Sequence, residues 1–109
     1  MKRGEVWSAA TGSGFGSKPR PVVIVQTDSL GDTPNVLVAL CLTAHHEADG
    51  VRPRVTPDPQ NNLHDVSDIA VDLLVAVPRR KFGRPIGLLS DEDMSAVDHA
   101  LLTILGFAD

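Results

Sequence analysis

Four basic clusters and one pair of neighbouring histidines are the residues of this chain best suited to chemistry. Lys2–Arg3, Lys18–Arg20, Arg52–Arg54 and Arg79–Arg84 hold all ten lysines and arginines. Gathered on one face they form an anion-binding surface; scattered, they are solvated charges, and composition does not decide between the two. His45 and His46 offer imidazoles, which titrate at about 6.5 and so give or take a proton near neutral pH. They also suit a plain polar loop. As a metal site they are poor, because adjacent residues of an extended segment point opposite ways and no third ligand is evident. The lone Cys41 excludes an intramolecular disulfide and a thiolate zinc site, and its apolar neighbours mark it as packed. Gly12-Ser13-Gly14-Phe15-Gly16 lacks the Gly-Lys-Ser/Thr ending of a phosphate loop, and no helix follows it. His64 and His99 read as surface residues.

The elements that must position these groups are short. The 109 residues make one domain, 1–109, with 42% apolar and 22% charged residues, which is ordinary globular usage. The net charge of −4 argues against a nucleic-acid partner only until its distribution is examined. Residues 90–109 hold five acids and no base, a charge of −5, while residues 1–89 set ten bases against nine acids, +1. The longest apolar runs are strand-length, so none can span a bilayer. The Met-Lys-Arg-Gly-Glu start has no apolar stretch behind it to make a secretory signal. The expected location is the cytoplasm.

Strands are expected at Gly4–Ala9, Val22–Gln26, Asn35–Thr43, Val51–Thr56, Ser67–Val77 and Gly83–Leu89, separated by Gly- and Pro-rich turns. The Ser67–Val77 run alternates Ile69, Val71, Leu73, Val75 and Val77, a strand that bends or breaks midway. Arg52 and Arg54 share one face of a half-exposed strand. Pro78–Phe82 suits a single helical turn. Ser90 is an N-cap with three acids behind it, Met94, Val97, Leu101, Ile104 and Leu105 repeat at helical spacing, and Gly106 supplies the stop. The pattern predicts a mainly β fold, a small barrel with one C-terminal α-helix.

Four ordered stretches carry a resemblance to a known family. They are Arg3-Gly4-Glu5-Val6-Trp7, Arg20-Pro21-Val22-Val23-Ile24-Val25-Gln26, Val38-Ala39-Leu40-Cys41-Leu42-Thr43, and Ile86 to Met94 leading into Val97-Asp98. The set resembles the MazF/PemK-like toxins of bacterial toxin–antitoxin pairs over almost the whole chain. The resemblance implies an SH3-like barrel that dimerises and a ribonuclease that cuts single-stranded RNA without metal or cofactor. In that reaction the ribose 2′-OH attacks the adjacent phosphorus, leaving a 2′,3′-cyclic phosphate and a 5′-OH. It needs a proton acceptor, a proton donor and cations where charge develops.

By resemblance, Arg20 is the arginine of the family's Arg-Pro strand, a guanidinium fork suited to a phosphate, with transition-state charge stabilisation as its expected role and proton donation as a second one. Thr43 matches the family's threonine at a strand end, and Asp72 the acid of a strand reading acid-Gln-x-Arg-Thr in other members. Here the Gln and Arg positions hold Leu73 and Val75, which removes a base-reading amide and a cation. The catalytic expectation is therefore Arg20, Thr43 and Asp72, with His45 and His46 as a separate acid–base hypothesis that the family does not supply. Lys18, Arg52, Arg54, Arg79 and Arg80 are expected to bind RNA. With no tyrosine in the chain, only Trp7, Phe15 and Phe82 can stack on bases; Phe15 is the better choice, and Trp7 suits core or dimer interface. The implied partners are single-stranded RNA, a second copy of the chain and an acidic, partly disordered antitoxin, with no membrane. Two alternatives share the fold: a gyrase binder of the CcdB type, which the absence of a C-terminal Trp disfavours, and a degenerate toxin that binds without cutting.

Overall fold

β-Branched runs become strands, and their alternation decides which side of the sheet each residue faces. The computed structural model describes residues 1–11, 18–43 and 51–108. Among them are six strands: β1 (Glu5–Ala9), β2 (Arg20–Ile24), β3 (Asn35–Leu42), β4 (Arg54–Val55), β5 (Ser67–Pro78) and β6 (Phe82–Leu88), followed by one α-helix, α1 (Asp91–Ile104). Every pairing is antiparallel, in the order β4-β5-β3-β2-β1-β6. The sheet curls into a half-barrel with the helix behind it, the mainly β fold with a terminal helix that the pattern predicts.

Both faces of the sheet are buried. Val23, Val25, Ala39, Cys41 and Ile69 face α1 and pack with Val97 and Ala100 of the helix. Val22, Ile24, Val36, Val38 and Val77 form a second cluster on the alternate positions, flanked by Trp7 and Phe82. Those two rings meet edge to face, centroids 6.1 Å apart, and the Trp7 indole donates to Glu5 at 2.9 Å. Burial alone would raise the Glu5 carboxyl, but the indole and the nearby Lys2 hold it below its ordinary value. Trp7 and Phe82 are thus occupied in packing.

The β5 strand bends without breaking. Its partners on β3 run Ala39↔Leu74 and then Leu40↔Ala70, so one step on β3 meets four on β5 and Val71–Leu73 bulge out. Val51–Thr56 is ordered as a strand only at Arg54–Val55, although Val51 still accepts from the Val71 amide at 3.1 Å. Around the helix, local chemistry acts as expected. The Ser90 hydroxyl accepts from Asp93 N at 3.0 Å. Gly106, at φ +83°, ends α1 with Phe107 N bonding Leu102 O and Gly106 N bonding Thr103 O, the paired closure that a left-handed residue permits. The Arg3 guanidinium reaches both Asp98 on α1 and Val25 O, tying the N-terminus to the helix.

Candidate active site

At the end of the sheet where β2 begins and β3 finishes, the strands open into a cleft of about 830 Å³. Two antiparallel neighbours bring its polar groups together. The β2–β3 register pairs Val22 with Leu40; continued two residues, it sets Arg20 opposite Leu42, beside Thr43. Arg20 and Thr43 both line the cleft. Leu40, Cys41, Leu42, Leu63 and Ile86 give it an apolar floor, and Arg84 on β6 supplies a second guanidinium. Burial pushes the Cys41 thiol up to about 12, so it is packing and not a nucleophile.

The remaining wall is a turn whose shape is set by asparagines. Asn61 is fully buried. Its side-chain oxygen accepts from Asp58 N at 3.1 Å and Leu63 N at 3.0 Å, and its amide donates to Thr56 O at 3.1 Å. The Asp58 carboxylate accepts from Gln60 N and Asn61 N at 2.8 and 2.7 Å. Asn62 sits at φ +54°, a left-handed conformation that asparagine tolerates, and donates to Ile86 O at 2.9 Å. The turn is thus stitched to β6 and presents Asn62, His64 and Asp65 to the cleft. His64 is exposed, as its sequence context suggests, but it is exposed into the cleft. The Asp-Pro-Gln-Asn-Asn run at 58–62 was the available signal, because Asx side chains that bond their own backbone build rigid turns. By itself the run marks only a break between strands.

The other expected site residues lie elsewhere. Asp72 sits in the β5 bulge, held by Arg52 through two bonds of 3.0 Å, and neither residue lines the cleft. The Arg52 hydrogen bonds hold the Asp72 carboxyl below its ordinary range, and the same pairing raises the Arg52 guanidinium. Arg54 grips the buried Asp68 at 2.8 and 3.4 Å. Arg79 turns back to the Gly31 and Thr33 carbonyls, clamping the 31–34 turn to the single 3₁₀ turn at Arg79–Lys81. Lys18 and Arg80 are exposed and outside the cleft lining. Two guanidiniums line the cleft, while Arg52, Arg54 and Arg79 bond acids or carbonyls, so for those three the choice that composition leaves open falls on scattered charges and not on one basic face. Phe15, His45 and His46 lie outside the described residues. Among the described residues, no group of three or more His, Cys, Asp or Glu could hold a metal ion.

A comparison with known proteins agrees with this architecture. The family model described as PemK-like, MazF-like toxin of type II toxin–antitoxin system matches residues 2–105. The chain is 37% identical over 108 residues, 99% of each chain, to a Mycolicibacterium smegmatis protein named probable endoribonuclease MazF. Among solved structures, a mycobacterial endoribonuclease in complex with its cognate antitoxin superposes with a TM-score of 0.80 at 21% identity, covering 100% of this chain and 98% of that one. Mycobacterium tuberculosis toxin MazF-mt6 gives a TM-score of 0.79 at 24% identity over 96% and 98%. At those identities the structural matches establish the fold.

Proposed function

The chain belongs to the PemK-like, MazF-like toxins of type II toxin–antitoxin systems, and from that membership we propose that it is an endoribonuclease working in the cleft beside Arg20 and Thr43. The substrate is single-stranded RNA. Only an unpaired backbone can turn its 2′-OH into line with the scissile phosphate, and only unpaired bases can lie on a floor such as Leu42, Leu63 and Ile86. The Arg20 fork takes the non-bridging oxygens, and Arg84 adds a second cation as charge develops on the phosphorane. The Thr43 hydroxyl holds the linkage by hydrogen bonding; threonine does not titrate near neutrality, so it orients and does not act as a base. Using the substrate's own hydroxyl as nucleophile, the reaction needs no metal-bound water and leaves a 2′,3′-cyclic phosphate and a 5′-OH.

The single observation that supports this reading is the convergence of Arg20 and Thr43 on one cleft large enough for a nucleotide. Asp72 has no part in it: its carboxylate is bound to Arg52 outside the cleft. We extend the proposal to partners. An acidic, partly disordered antitoxin segment would compete with RNA for the same guanidiniums, and the protein works as a homodimer. No helix among the described residues is long and apolar enough to cross a membrane, and the cytoplasm is the proposed location.

The test incubates the protein and its Arg20→Ala variant with mixed single-stranded RNA in EDTA, followed by end-group analysis. EDTA-resistant cutting that is lost in the variant, with 5′-OH ends, is the expected result. Intact RNA with retained binding would instead identify a binder that does not cut.

A further inference from the structure

The cleavage proposed above lacks a proton donor for the departing 5′-oxygen. An alkoxide is a poor leaving group, and a guanidinium with a pKa above about 12 releases its proton too reluctantly to protonate it well. Among the described residues, the titratable side chains lining the cleft are Arg20, Arg84, Cys41, His64 and Asp65. The buried Cys41 thiol holds its proton. Carboxylate oxygens serve chiefly as acceptors, whereas an imidazole carries an N–H that it can give and a second nitrogen that can regain a proton.

We infer that His64 is the general acid of this site, a reading that rests on the ribonuclease assignment. Three features of its surroundings support it. His64 lines the same cleft as Arg20 and Thr43. Its imidazole has no hydrogen bond or ion pair to a described residue, so no structural bond must break before it meets substrate. Its backbone is anchored on both sides. Leu63 before it is buried and bonded to the Asn61 side chain at 3.0 Å, and the carbonyl of Asp65 after it accepts from the Ser67 hydroxyl at 2.9 Å. A rigid support of this kind fixes a proton-transfer group without immobilising it through the group itself. In the step, the 2′-oxygen–phosphorus bond forms as the phosphorus–5′-oxygen bond breaks. The 2′-hydroxyl proton passes to solvent or to the adjacent Asp65 carboxylate. The imidazolium proton of His64 goes to the 5′-oxygen, leaving neutral imidazole.

The deciding experiment changes the leaving group. Two oligoribonucleotides carry the bond that the wild type cuts, one with the natural linkage and one with a 5′-bridging sulfur, whose thiolate departs without protonation. His64→Ala is expected to slow natural cleavage by about 100-fold or more at saturating RNA, with little change in KM. On the sulfur linkage it is expected to match the wild type within a few-fold. Because His64 is exposed, its unfolding temperature should be unchanged. A variant that retains its natural rate, or is equally slow on both linkages, overturns the role of His64. So does rescue by sulfur in His45→Ala/His46→Ala instead. A wild type that cuts neither linkage overturns the ribonuclease reading itself, and the role with it.

Discussion

Gly87 is the position where one methyl group would disturb both the fold and the cleft. A Cβ built there falls 2.3 Å from Asn61 O, 2.5 Å from Asn61 C and 2.6 Å from Gln60 O. Non-bonded heavy atoms rest at about 3.5–4.0 Å, so Gly87→Ala forces backbone to separate from backbone by roughly 1 Å. Two ways of yielding are open, and both are costly. If the turn lifts from β6, it loses the Leu88 N–Gln60 O bond of 3.0 Å and the Asn62–Ile86 O bond of 2.9 Å. If β6 moves instead, its pairing with β1 at Val6↔Gly87 is disturbed. Two such bonds at about 1 kcal/mol each, with the partial unpacking of buried Asn61, put the loss at about 2–4 kcal/mol. For a domain of this size that lowers Tm by roughly 8–16 °C. Because the turn carries Asn62, His64 and Asp65 while β6 carries Arg84 and Ile86, the two sides of the cleft move apart. A displacement near 1 Å reduces cleavage by about 10- to 100-fold even well below the new Tm. Circular dichroism melts and single-turnover RNA cleavage at low temperature check both numbers. A variant melting within 2 °C of the wild type (roughly the yield of half a kcal/mol) would refute the claim that this contact shapes the cleft.

Three further outcomes follow from the pairings. Arg52→Ala should cost about 1 kcal/mol or less at neutral pH, since the Asp72 pair is partly exposed. Asp72 is depressed in the folded state, so its contribution is present above its ordinary value of 3.8 and is lost as pH falls through the lower folded value. Urea melts of the two proteins should therefore differ at pH 6 and converge toward pH 2, and a gap that widened in acid would contradict the assignment. Cys41, buried with its thiol at about 12, should resist a thiol reagent at pH 8 in native protein and react promptly in denaturant. Prompt native labelling would mean that the strand end opens. RNA affinity should depend shallowly on salt, because two guanidiniums line the cleft among the described residues. Two phosphate contacts give a log–log slope of about −1.4 for single strands, and a slope of −4 or steeper would show that the clusters outside the cleft engage RNA as well.

What could be read from the sequence was set by interactions close in the chain. Ser90 and Asp93 are three residues apart, and the Gly106 closure lies within five, so α1 is legible at both ends. The strands declare themselves because β-branched alternation is local. Arg20 and Thr43, 23 positions apart, could be nominated only through a family resemblance. Their meeting depends on the β2–β3 register, which single-residue types do not encode. The bulge in β5 appears in the sequence as an expected bend, but not its consequence, the outward turn that carries Asp72 to Arg52.

The basic clusters show why charge counting leaves the site undecided. Arg52 finds its acid 20 residues away, Arg54 finds Asp68 at 14, and Arg79 reaches the Thr33 carbonyl across 46. Each of these side chains reads as a solvated cation or an RNA contact until the fold supplies its partner. Once it does, a phosphate must displace an ion pair or a set of carbonyls to gain the same charge, which cancels much of the attraction. Arg84, the last residue of the most basic cluster, shares the cleft with Arg20 because β6 and β2 both pair with β1: Ala9 meets Arg20 on one side and Phe82 on the other. The electrostatics of the site are thus a product of strand order. On the proposed function, two cations over an apolar floor would fix one linkage in register, whereas ten spread across the surface would hold RNA anywhere along its length.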